Sequence, residues 1–248
     1  MTLAGKIAII TGSSRGLGKA IALRFAREGA AGVIVNYLSN GKGAENTVAE
    51  INKLGGKGLA VQADVGKISD LKRLVDETVK QFGRIDILVN NAGIGRPNEL
   101  SNITEQEFDQ LFQTNVKGPV FLTKYAAPHI PTGGRVIFIS SVLTVVNQPV
   151  LGFLLYTATK GAIEQITRIL SKDLGRKGIT VNAVRPGAIL TDMNASLPQE
   201  SIAILIESSP FNRMGEPEDI ADVVYLVASS DSRWISGQML TCDGAIAV

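Results

Sequence analysis

The sequence predicts an α/β protein built as one doubly wound parallel sheet of about seven strands, with helices on both faces. Short apolar runs of strand length alternate with amphipathic helical segments along the whole chain. Strands that are separated by helices pair in parallel through right-handed crossovers. A chain of 248 residues is long enough to bury one large core, and no repeat, low-complexity tract or linker divides it. We therefore expect residues 1–248 to form a single domain.

The predicted strands and helices follow from these patterns. The strand segments are rich in Val and Ile, as is typical of strands buried on both faces. A long predicted helix begins at Thr104, and Glu107 three residues later completes a capping box. We predict strands at 6–10, 31–37, 58–62, 85–89, 135–139, 179–184 and 238–241, and helices at 17–27, 41–54, 69–82, 104–127, 157–175, 201–207 and 217–228.

A glycine-rich turn, TGSSRGLG at residues 11–18, joins the first strand to the first helix. The N-terminus of a helix carries unpaired N–H groups and the positive end of the helix dipole, so this position favours a phosphate. Without side chains, Gly12, Gly16 and Gly18 let a pyrophosphate approach the backbone, as in a Rossmann fold. Their spacing differs from the usual Gly-x-Gly-x-x-Gly fingerprint. Their place in the first β-α unit favours a nucleotide site over an ordinary turn.

Composition argues against several other classes of protein. The net charge is +2 and no basic arm is present, which argues against nucleic acid. No apolar stretch has membrane-spanning length, and residues 1–5 leave no room for a signal peptide. With Cys242 as the single cysteine, no intrachain disulfide forms, and we expect a cytoplasmic protein. With His129 as the single histidine, we expect no metal site.

Small and polar residues follow the predicted strands at their carboxyl ends. Ligands bind at these ends in doubly wound sheets, so the residues are candidates for one site. They are the glycine turn after the first strand, Asn36 and Tyr37 after the second, Asp64 and Val65 after the third, Asn90, Asn91, Ala92 and Gly93 after the fourth, Ser140 and Ser141 after the fifth, and Arg185, Pro186 and Gly187 after the sixth.

Tyr156 and Lys160 lie four residues apart in a helical segment and so share a helix face. We expect the lysine ammonium to lower the pKa of the phenol and so prepare it to donate a proton to a developing alkoxide. Taken alone, such a pair is usually a solvated surface pair. Ser141 at a neighbouring strand end favours a catalytic site, because its hydroxyl can hydrogen-bond the same carbonyl oxygen.

Together these motifs resemble the short-chain dehydrogenase/reductase family. Within that family the pattern is most similar to 3-oxoacyl-carrier-protein reductases, polyhydroxynaphthalene-type reductases and related carbonyl reductases. The resemblance covers nearly the whole chain. The matching motifs are residues 11–18, residues 90–93, Asn115, Ser141, residues 156–160 and residues 186–187.

The resemblance implies a role for each catalytic candidate. Tyr156 would be the acid in reduction and the base in oxidation, and Lys160 would lower its pKa and hold the nicotinamide ribose. Ser141 would orient the substrate carbonyl, and Asn115 would support a water-linked proton relay to Lys160. Ser140 is the alternative to Ser141, because fifteen residues separate Ser141 from Tyr156, two more than is common in the family.

The resemblance also implies a nicotinamide dinucleotide cofactor. Besides Tyr156 and Lys160, its expected contacts follow the strand ends along the sheet. They are Gly12, Ser14, Arg15, Leu17 and Gly18 at the phosphates, Asn36 after the second strand, Asp64 and Val65 at the adenine, Asn91, Ala92 and Gly93 at the ribose, and Pro186, Gly187, Ile189 and Thr191 at the nicotinamide end.

The segment after the second strand favours NADPH/NADP+ over NAD(H). Sites that prefer NAD carry an acidic residue there, which binds the ribose 2′-hydroxyl. This chain has Asn36 and no carboxylate before Glu45. Arg15 in the glycine turn can pair with a 2′-phosphate.

We expect a small-molecule carbonyl substrate of mostly apolar character. The long segment at about 187–215 is predicted to be a substrate loop. Relatives are usually homotetramers, and the apolar C-terminus is compatible with such an assembly. The predicted substrate-lining residues are Leu143, Val146, Phe153, Met193 and Phe211.

Two other functions remain open from the sequence. The same residues serve an NAD(P)-dependent oxidation of a secondary alcohol or sugar when the reaction runs in reverse. A non-catalytic dinucleotide-sensing protein would keep the fold alone. The joint presence of Asn115, Ser141, Tyr156 and Lys160 argues against the latter.

Overall fold

The computed structural model describes residues 3–147, 150–191 and 198–248. These residues form a sheet of seven strands with helices packed around it. The strands are β1 (Ile7–Ile10), β2 (Gly32–Tyr37), β3 (Lys57–Gln62), β4 (Ile87–Asn90), β5 (Arg135–Ile139), β6 (Thr180–Pro186) and β7 (Met239–Cys242). The helices are α1 (Gly16–Arg27), α2 (Gly41–Lys53), α3 (Ile68–Phe82), α4 (Glu105–Phe112), α5 (Gly118–Ala126), α6 (Leu154–Gly175), α7 (Gln199–Glu207) and α8 (Pro217–Ala228).

The sheet is parallel throughout, in the order β3-β2-β1-β4-β5-β6-β7. The chain builds outward from β1 in one direction and then from β4 in the other, so the strand order reverses between these two strands. Ile9 of β1 pairs with Ile34 of β2 and with Leu88 of β4. The carboxyl ends of β1 and β4 therefore lie side by side at the switch point, where ligands bind in such sheets.

Each face of the sheet carries its own apolar core. Side chains alternate along a strand, so Ala8 and Ile10 join the core beneath α1 and α8, whereas Ile7 and Ile9 join the core beneath α3, α5 and α6. Phe25 of α1 is fully buried in the first core. Within the described residues, none of the helices combines the length and the apolar character needed to cross a membrane.

The predicted fold class is confirmed, and most predicted elements lie within a few residues of the observed ones. The predicted bounds of β5 and α8 match the structure. The helix that was predicted to begin at 157 begins at Leu154, three residues earlier, so Tyr156 lies within its first turn.

The helix predicted over 104–127 is present, but it is not one regular α-helix. Thr104 does begin α4 with a capping box, but a π-helical segment, Gln113–Lys117, separates α4 from α5. Pro119 lacks the N–H that would donate to the carbonyl of Asn115 in a regular α-helix. The ladder of hydrogen bonds is therefore interrupted at this point, and Asn115 lies in the wider turn.

We expect Gly18→Ala to destabilise the protein by about 1–3 kcal/mol, because the added methyl group would overpack the first turn of α1. A Cβ there would lie 2.6 Å from Asn91 Nδ2 and 2.8 Å from the Cα of Ser13. Gly175→Ala is the matched control, because its Cβ meets no described atom within 4 Å and alanine favours the helix by about 0.5–1 kcal/mol. Urea unfolding of the two variants and the wild type measures the difference. Equal stability of Gly18→Ala and wild type would contradict this account of the turn.

Candidate active site

The glycine turn between β1 and α1 is folded tightly against the end of β2. The Gly12 N–H donates to Asn36 Oδ1 at 3.1 Å, and the Ser13 N–H donates to the Asn36 carbonyl at 2.9 Å. Gly12 and Gly16 have φ angles of +64° and +54°, in the left-handed region that favours glycine. A Cβ on Gly12 would also lie 3.0 Å from the Cα of Ala92. Glycine is therefore needed where the turn meets the loop after β4.

The start of α1 is suited to an anion. In the part of the chain that the structure describes, no side chain caps this helix and its first turn carries no acidic residue. The first N–H groups of the helix are thus left for a ligand, at the positive end of the helix dipole. Arg15 is exposed beside them, and Ser14 and Leu17 are half-buried. The turn and helix fit the pyrophosphate of a dinucleotide.

Asn36 lies behind the turn and is only 1% exposed. Its Oδ1 accepts from Gly12, and its Nδ2 donates to the carbonyls of Val61 and Ala63 at 3.3 and 3.0 Å. Asn36 was predicted at the cofactor, and the structure places its amide behind the turn that would hold the phosphates. A side chain so enclosed acts through the turn that it holds.

The segment between β2 and α2 borders the glycine turn. A Cβ on Gly43 would lie 2.7 Å from the carbonyl oxygen of Ser14, so the start of α2 packs closely on the turn. This segment carries no carboxylate before Glu45, and its Lys42 side chain is exposed, as is that of Arg15. The rim at the end of β2 is therefore neutral to basic.

Asp64 and Val65, the predicted adenine contacts, follow β3 at the same edge of the sheet. Asp64 is half-buried, and its Oδ1 accepts from the Gly66 N–H at 2.9 Å. Its own N–H donates to Asp70 Oδ2 at 2.9 Å. Val65 is buried. The pair thus forms a fixed wall two strands away from the switch point.

The loop after β4 joins the glycine turn to Lys160. The N–H groups of Asn91 and Ala92 both donate to Thr11 Oγ1 at 2.9 Å, and Asn91 Nδ2 donates to the Thr11 carbonyl at 2.8 Å. A Cβ on Gly93 would lie 3.6 Å from Lys160 Nζ. The three predicted ribose contacts therefore lie between the turn and Lys160.

Asn115 connects the same loop to α6. Its side chain is buried in the π-helical segment, where Oδ1 accepts from the Ile94 N–H at 2.9 Å. Its Nδ2 donates to the Ile94 carbonyl at 2.8 Å and to Thr159 Oγ1 at 3.1 Å. Asn115 thus fixes the β4 loop against the residue that precedes Lys160.

The side chains of Ser141, Tyr156 and Lys160 lie together where β5 ends and α6 begins. Lys160 is 5% exposed, and its Nζ lies 5.4 Å from the centroid of the Tyr156 ring and donates to the Ile139 carbonyl at 2.7 Å. The Ser141 hydroxyl lies close enough to that of Tyr156 to act on the pKa of the phenol. The longer spacing between Ser141 and Tyr156 therefore does not separate their side chains.

Burial shifts the pKa of both titratable groups in this cluster. It raises the pKa of Tyr156 above its ordinary value, although the hydrogen bond with Ser141 acts in the opposite direction. It lowers the pKa of Lys160 from 10.5 to about 8. The net direction at Tyr156 is therefore opposite to the predicted lowering by Lys160. The ammonium lies over the ring and donates to a backbone carbonyl, while burial dominates at the phenol.

Ser140, the alternative to Ser141, has a different partner. Its hydroxyl is buried and donates to Glu164 Oε1 at 2.8 Å. Ser141 Oγ, by contrast, accepts from the Leu143 N–H at 3.3 Å and contacts Tyr156. Of the two serines, Ser141 is thus the one placed beside the phenol.

Three of the predicted substrate-lining residues lie in the segments that flank this cluster. The Phe153 ring meets the Tyr156 ring edge to face, with 6.4 Å between centroids. Leu143 is half-buried in the turn that follows Ser141, and Val146 is half-buried just beyond it. These apolar groups border the hydroxyls of the site.

The remaining predicted substrate residues belong to the segment after β6. Phe211 is 70% exposed, and it borders a cavity of about 250 Å³ together with Ile189 and Cys242. Met193 lies outside the described residues. The two ends of the predicted substrate loop are held together, because the Leu190 N–H donates to the Gly215 carbonyl at 2.8 Å.

The residues predicted at the nicotinamide end lie along the chain leaving β6. The Gly187 N–H donates to the Cys242 carbonyl at 3.0 Å, which fixes the residue after Pro186 to β7. Ile189 is buried, with its side chain in the core beneath α8. Thr191 reaches the glycine turn, since a Cβ on Gly16 would lie 3.8 Å from Thr191 Cγ2.

Sequence reasoning missed two buried polar residues of the site. Glu164 lies one helical turn beyond Lys160 and hydrogen-bonds with Ser140. The regular four-residue spacing from Tyr156 through Lys160 was the available signal. Asn98 is 8% exposed and pairs with Phe153 in an isolated β-bridge, and its side-chain amide has no hydrogen-bond partner among the described residues. No sequence pattern pointed to Asn98.

Over residues 3–147, 150–191 and 198–248, no group of three or more His, Cys, Asp or Glu side chains is arranged to hold a metal ion.

Comparisons with known proteins agree with this geometry. A family model described as enoyl-(acyl carrier protein) reductase matches residues 12–246. A probable tetrahydroxynaphthalene reductase from Zymoseptoria tritici is 40% identical over 255 residues, which cover 98% of this chain and 95% of that protein.

Solved structures give the same result. A short chain dehydrogenase from Burkholderia cenocepacia, in complex with NADP, is 37% identical with a TM-score of 0.95 over 100% of both chains. An angucycline C-6 ketoreductase with bound NADP is 36% identical with a TM-score of 0.93, over 99% of this chain and 97% of that one. On its sequence, its sheet and these likenesses, the chain belongs to the short-chain dehydrogenase/reductase family of oxidoreductases.

Proposed function

We propose that this protein reduces a ketone on a mostly apolar small molecule to a secondary alcohol, with NADPH as the cofactor and Tyr156 as the proton donor. The observation that carries the proposal is the group of Ser141, Tyr156 and Lys160, in which the serine and the lysine are buried and the tyrosine is half-buried. This group lies at the same edge of the sheet as a helix N-terminus suited to phosphate. The proposal therefore joins a proton donor to a dinucleotide site.

Each side chain of the group has a task in such a reduction. Bound NADPH supplies a hydride to the carbonyl carbon. The raised pKa of Tyr156 keeps its phenol protonated near neutral pH, which is the state that an acid needs. Ser141 donates a hydrogen bond to the carbonyl oxygen, and the Lys160 ammonium stabilises the phenolate that remains after proton transfer.

The protonation state that burial favours at Tyr156 is the one that reduction uses. In the reverse reaction the phenol must first lose its proton in order to act as a base. Burial disfavours the phenolate in this site, so the oxidation starts from a less populated state. Oxidation of a secondary alcohol or sugar stays the second candidate function, because the same side chains serve both directions.

NADPH is supported by the rim at the end of β2. This rim carries Arg15 and Lys42 and has no carboxylate before Glu45. A 2′-phosphate gains a charge-assisted hydrogen bond from a guanidinium there, whereas a 2′-hydroxyl finds no acidic acceptor in the segment. The solved NADP complexes of similar proteins support the same cofactor.

The substrate wall supports a cyclic ketone that carries a second oxygen. Leu143 and Phe153 give the wall its apolar character, and Asn98 beside Phe153 adds a buried amide without a partner among the described residues. A buried amide favours a ligand group that completes its hydrogen bonds. Similar proteins include a probable tetrahydroxynaphthalene reductase and an angucycline C-6 ketoreductase, whose names indicate a hydroxylated naphthalene and an angucycline as their substrates.

A homotetramer remains part of the proposal. Large apolar side chains are exposed along α6 and near the C-terminus, with Ile169 72% and Trp234 96% exposed. Association with further copies would remove this apolar surface from water. A cytoplasmic location stays a prediction from the sequence.

Replacement of Tyr156 tests the proposed chemistry. We expect Tyr156→Phe to lower kcat by about 10²–10⁴-fold, because the proton donor is lost. Affinity for NADPH should stay within about twofold, since the turn is unchanged. NADPH oxidation is followed with ketones with and without a second oxygen, quinones, imines and an enoyl thioester. Tyr125→Phe on α5 is the control that keeps activity. A wild type that reduces only the enoyl thioester, or an active Tyr156→Phe, would overturn the proposal.

Replacement of Arg15 tests the cofactor. We expect Arg15→Ala to lower kcat/KM for NADPH by about 10–100-fold, the size of a charge-assisted hydrogen bond. For NADH the change should stay within about twofold, because the 2′-phosphate is absent. Arg27→Ala, at the far end of the same helix, is the control. A wild-type preference for NADH would refute the assignment.

Lys160→Met should be inactive and yet more stable than the wild type at pH 7. The folded state holds the Lys160 ammonium with a pKa of about 8 against 10.5 when exposed, so its burial costs about 3 kcal/mol at pH 7. The lost hydrogen bond to Ile139 offsets about 1 kcal/mol of this gain.

The pH dependence of that gain has a fixed sign. Between pH 8 and 10.5 the unfolded chain keeps the lysine proton that the folded wild type has released, so wild-type stability rises with pH in this window. The advantage of Lys160→Met should therefore shrink from pH 7 to pH 10. Urea unfolding at both pH values measures it, with Lys172→Met on the exposed face of α6 as control. An advantage independent of pH would contradict the buried-charge account.

A further inference from the structure

A carboxylate on α6 holds the turn that carries Ser141. Glu164 is 6% exposed and follows Tyr156 and Lys160 at four-residue steps, so the three side chains share one face of the helix. Glu164 Oε1 accepts from Ser140 Oγ at 2.8 Å and from Thr144 Oγ1 at 2.7 Å. Glu164 lies on α6, the helix that also carries Tyr156. Its carboxylate therefore contacts residues 140–144, which we call the serine turn.

These two hydroxyls lie on either side of Ser141. Ser140 precedes it, and Thr144 follows it by three residues at the end of the short helical turn Val142–Thr144. The Thr144 hydroxyl also lies 2.8 Å from the Ser141 carbonyl oxygen. The carboxylate therefore fixes the serine turn at both ends, and little freedom is left for the residue between them.

Arg185 holds the carboxylate in place from β6. Its Nε lies 2.7 Å from Glu164 Oε1, and its Nη2 lies 2.6 Å from Oε2, which is the forked geometry of a strong pair. Arg185 directly precedes Pro186 and Gly187, the residues predicted at the nicotinamide end. The Glu164–Arg185 pair thus joins α6, the serine turn and the end of β6.

We propose that Glu164 is a positioning residue for the ketone reduction, which sets the Ser141 hydroxyl relative to that of Tyr156. This inference rests on the proposed function. Glu164 touches neither substrate nor cofactor and acts through Ser140 and Thr144. A displacement of about 1 Å between groups that bind the same carbonyl oxygen can cost about 100-fold in rate.

A purely structural role for Glu164 would be to neutralise Arg185. A forked pair achieves that without any contact to the serine turn. The two additional hydrogen bonds both go to residues that flank Ser141. Variants can therefore separate the two roles, because the turn and the ion pair use different partners of one carboxylate.

The first test releases the turn and leaves the ion pair intact. In Ser140→Ala/Thr144→Val we expect kcat to fall by about 10-fold or more, with KM for the ketone and Kd for NADPH within about twofold of wild type. The isotope effect on kcat with deuterated NADPH should increase, because hydride and proton transfer become slower than the other steps. Glu77→Gln, which breaks an exposed pair on α3, is the control with unchanged kcat.

The second test removes the ion pair. Glu164→Ala leaves Arg185 buried without its partner and is expected to unfold more easily, so Glu164→Ala/Arg185→Met is made beside it. We expect the double variant to recover the thermal stability and to keep a kcat at least about 10-fold below wild type. Glu164→Asp, which keeps the charge, should regain part of kcat. A wild-type kcat in Glu164→Ala/Arg185→Met would show that Glu164 only neutralises Arg185.

The outcomes distinguish the two proposals. If the wild type reduces no ketone, the proposed function fails, and the inference that rests on it fails too. If the wild type reduces a ketone, Tyr156→Phe does not, and Ser140→Ala/Thr144→Val keeps the wild-type kcat and isotope effect, then the proposed function stands and the positioning role is overturned.

Discussion

The buried ammonium of Lys160 is the interaction around which the edge of the sheet is arranged. A charge that is taken out of water costs several kcal/mol unless the surrounding groups compensate for it. Three elements contribute here: the carbonyl of Ile139 ends β5, Gly93 after β4 leaves space for Nζ, and the Tyr156 ring lies 5.4 Å away on α6. Parallel pairing brings these strand ends together, because all carboxyl ends of a parallel sheet meet at one edge.

Two buried charged side chains on the same face of α6, Lys160 and Glu164, have different kinds of partner. Glu164 is paired with Arg185 in a fork, whereas Lys160 has no ion pair among the described residues and donates to a neutral carbonyl. A paired charge is neutralised and serves as an anchor. An ammonium without an ion pair can stabilise negative charge that develops nearby. Helix α6 thus carries a neutralised carboxylate, Glu164, and an ammonium available to developing negative charge, Lys160, one helical turn apart.

The architecture could be predicted from the sequence, because alternation of apolar strands with amphipathic helices admits few topologies. The strand ends then identified most of the candidate site. Side-chain direction could not be predicted in the same way. Asn36 ends β2 as expected, but its amide faces the backbone behind the turn.

The sequence pattern also could not predict the balance of energies that sets the pKa values and the shape of the helices. The four-residue spacing of Tyr156 and Lys160 indicated that they are neighbours. It did not show how far the phenol is buried, and burial is what raises its pKa. The π-helical segment that interrupts the long helix is explained by Pro119, which lacks an N–H. The sequence alone did not show which carbonyl would lose its hydrogen bond. The role of Glu164 could not be predicted, because its partners come from two separate segments, the turn that carries Ser141 and the end of β6.

The extra residues between Ser141 and Tyr156 fall in a part of the chain whose two ends are fixed independently. Glu164 holds the serine turn at one end, and the β-bridge between Asn98 and Phe153 holds the start of α6 at the other. Length can change between these anchors without moving either hydroxyl. The segment carries exposed apolar side chains, with Leu151 91% exposed. On the proposed function, an insertion at this position would alter the wall that meets the substrate and leave the reacting groups in place, which would separate selectivity from chemistry within one connection.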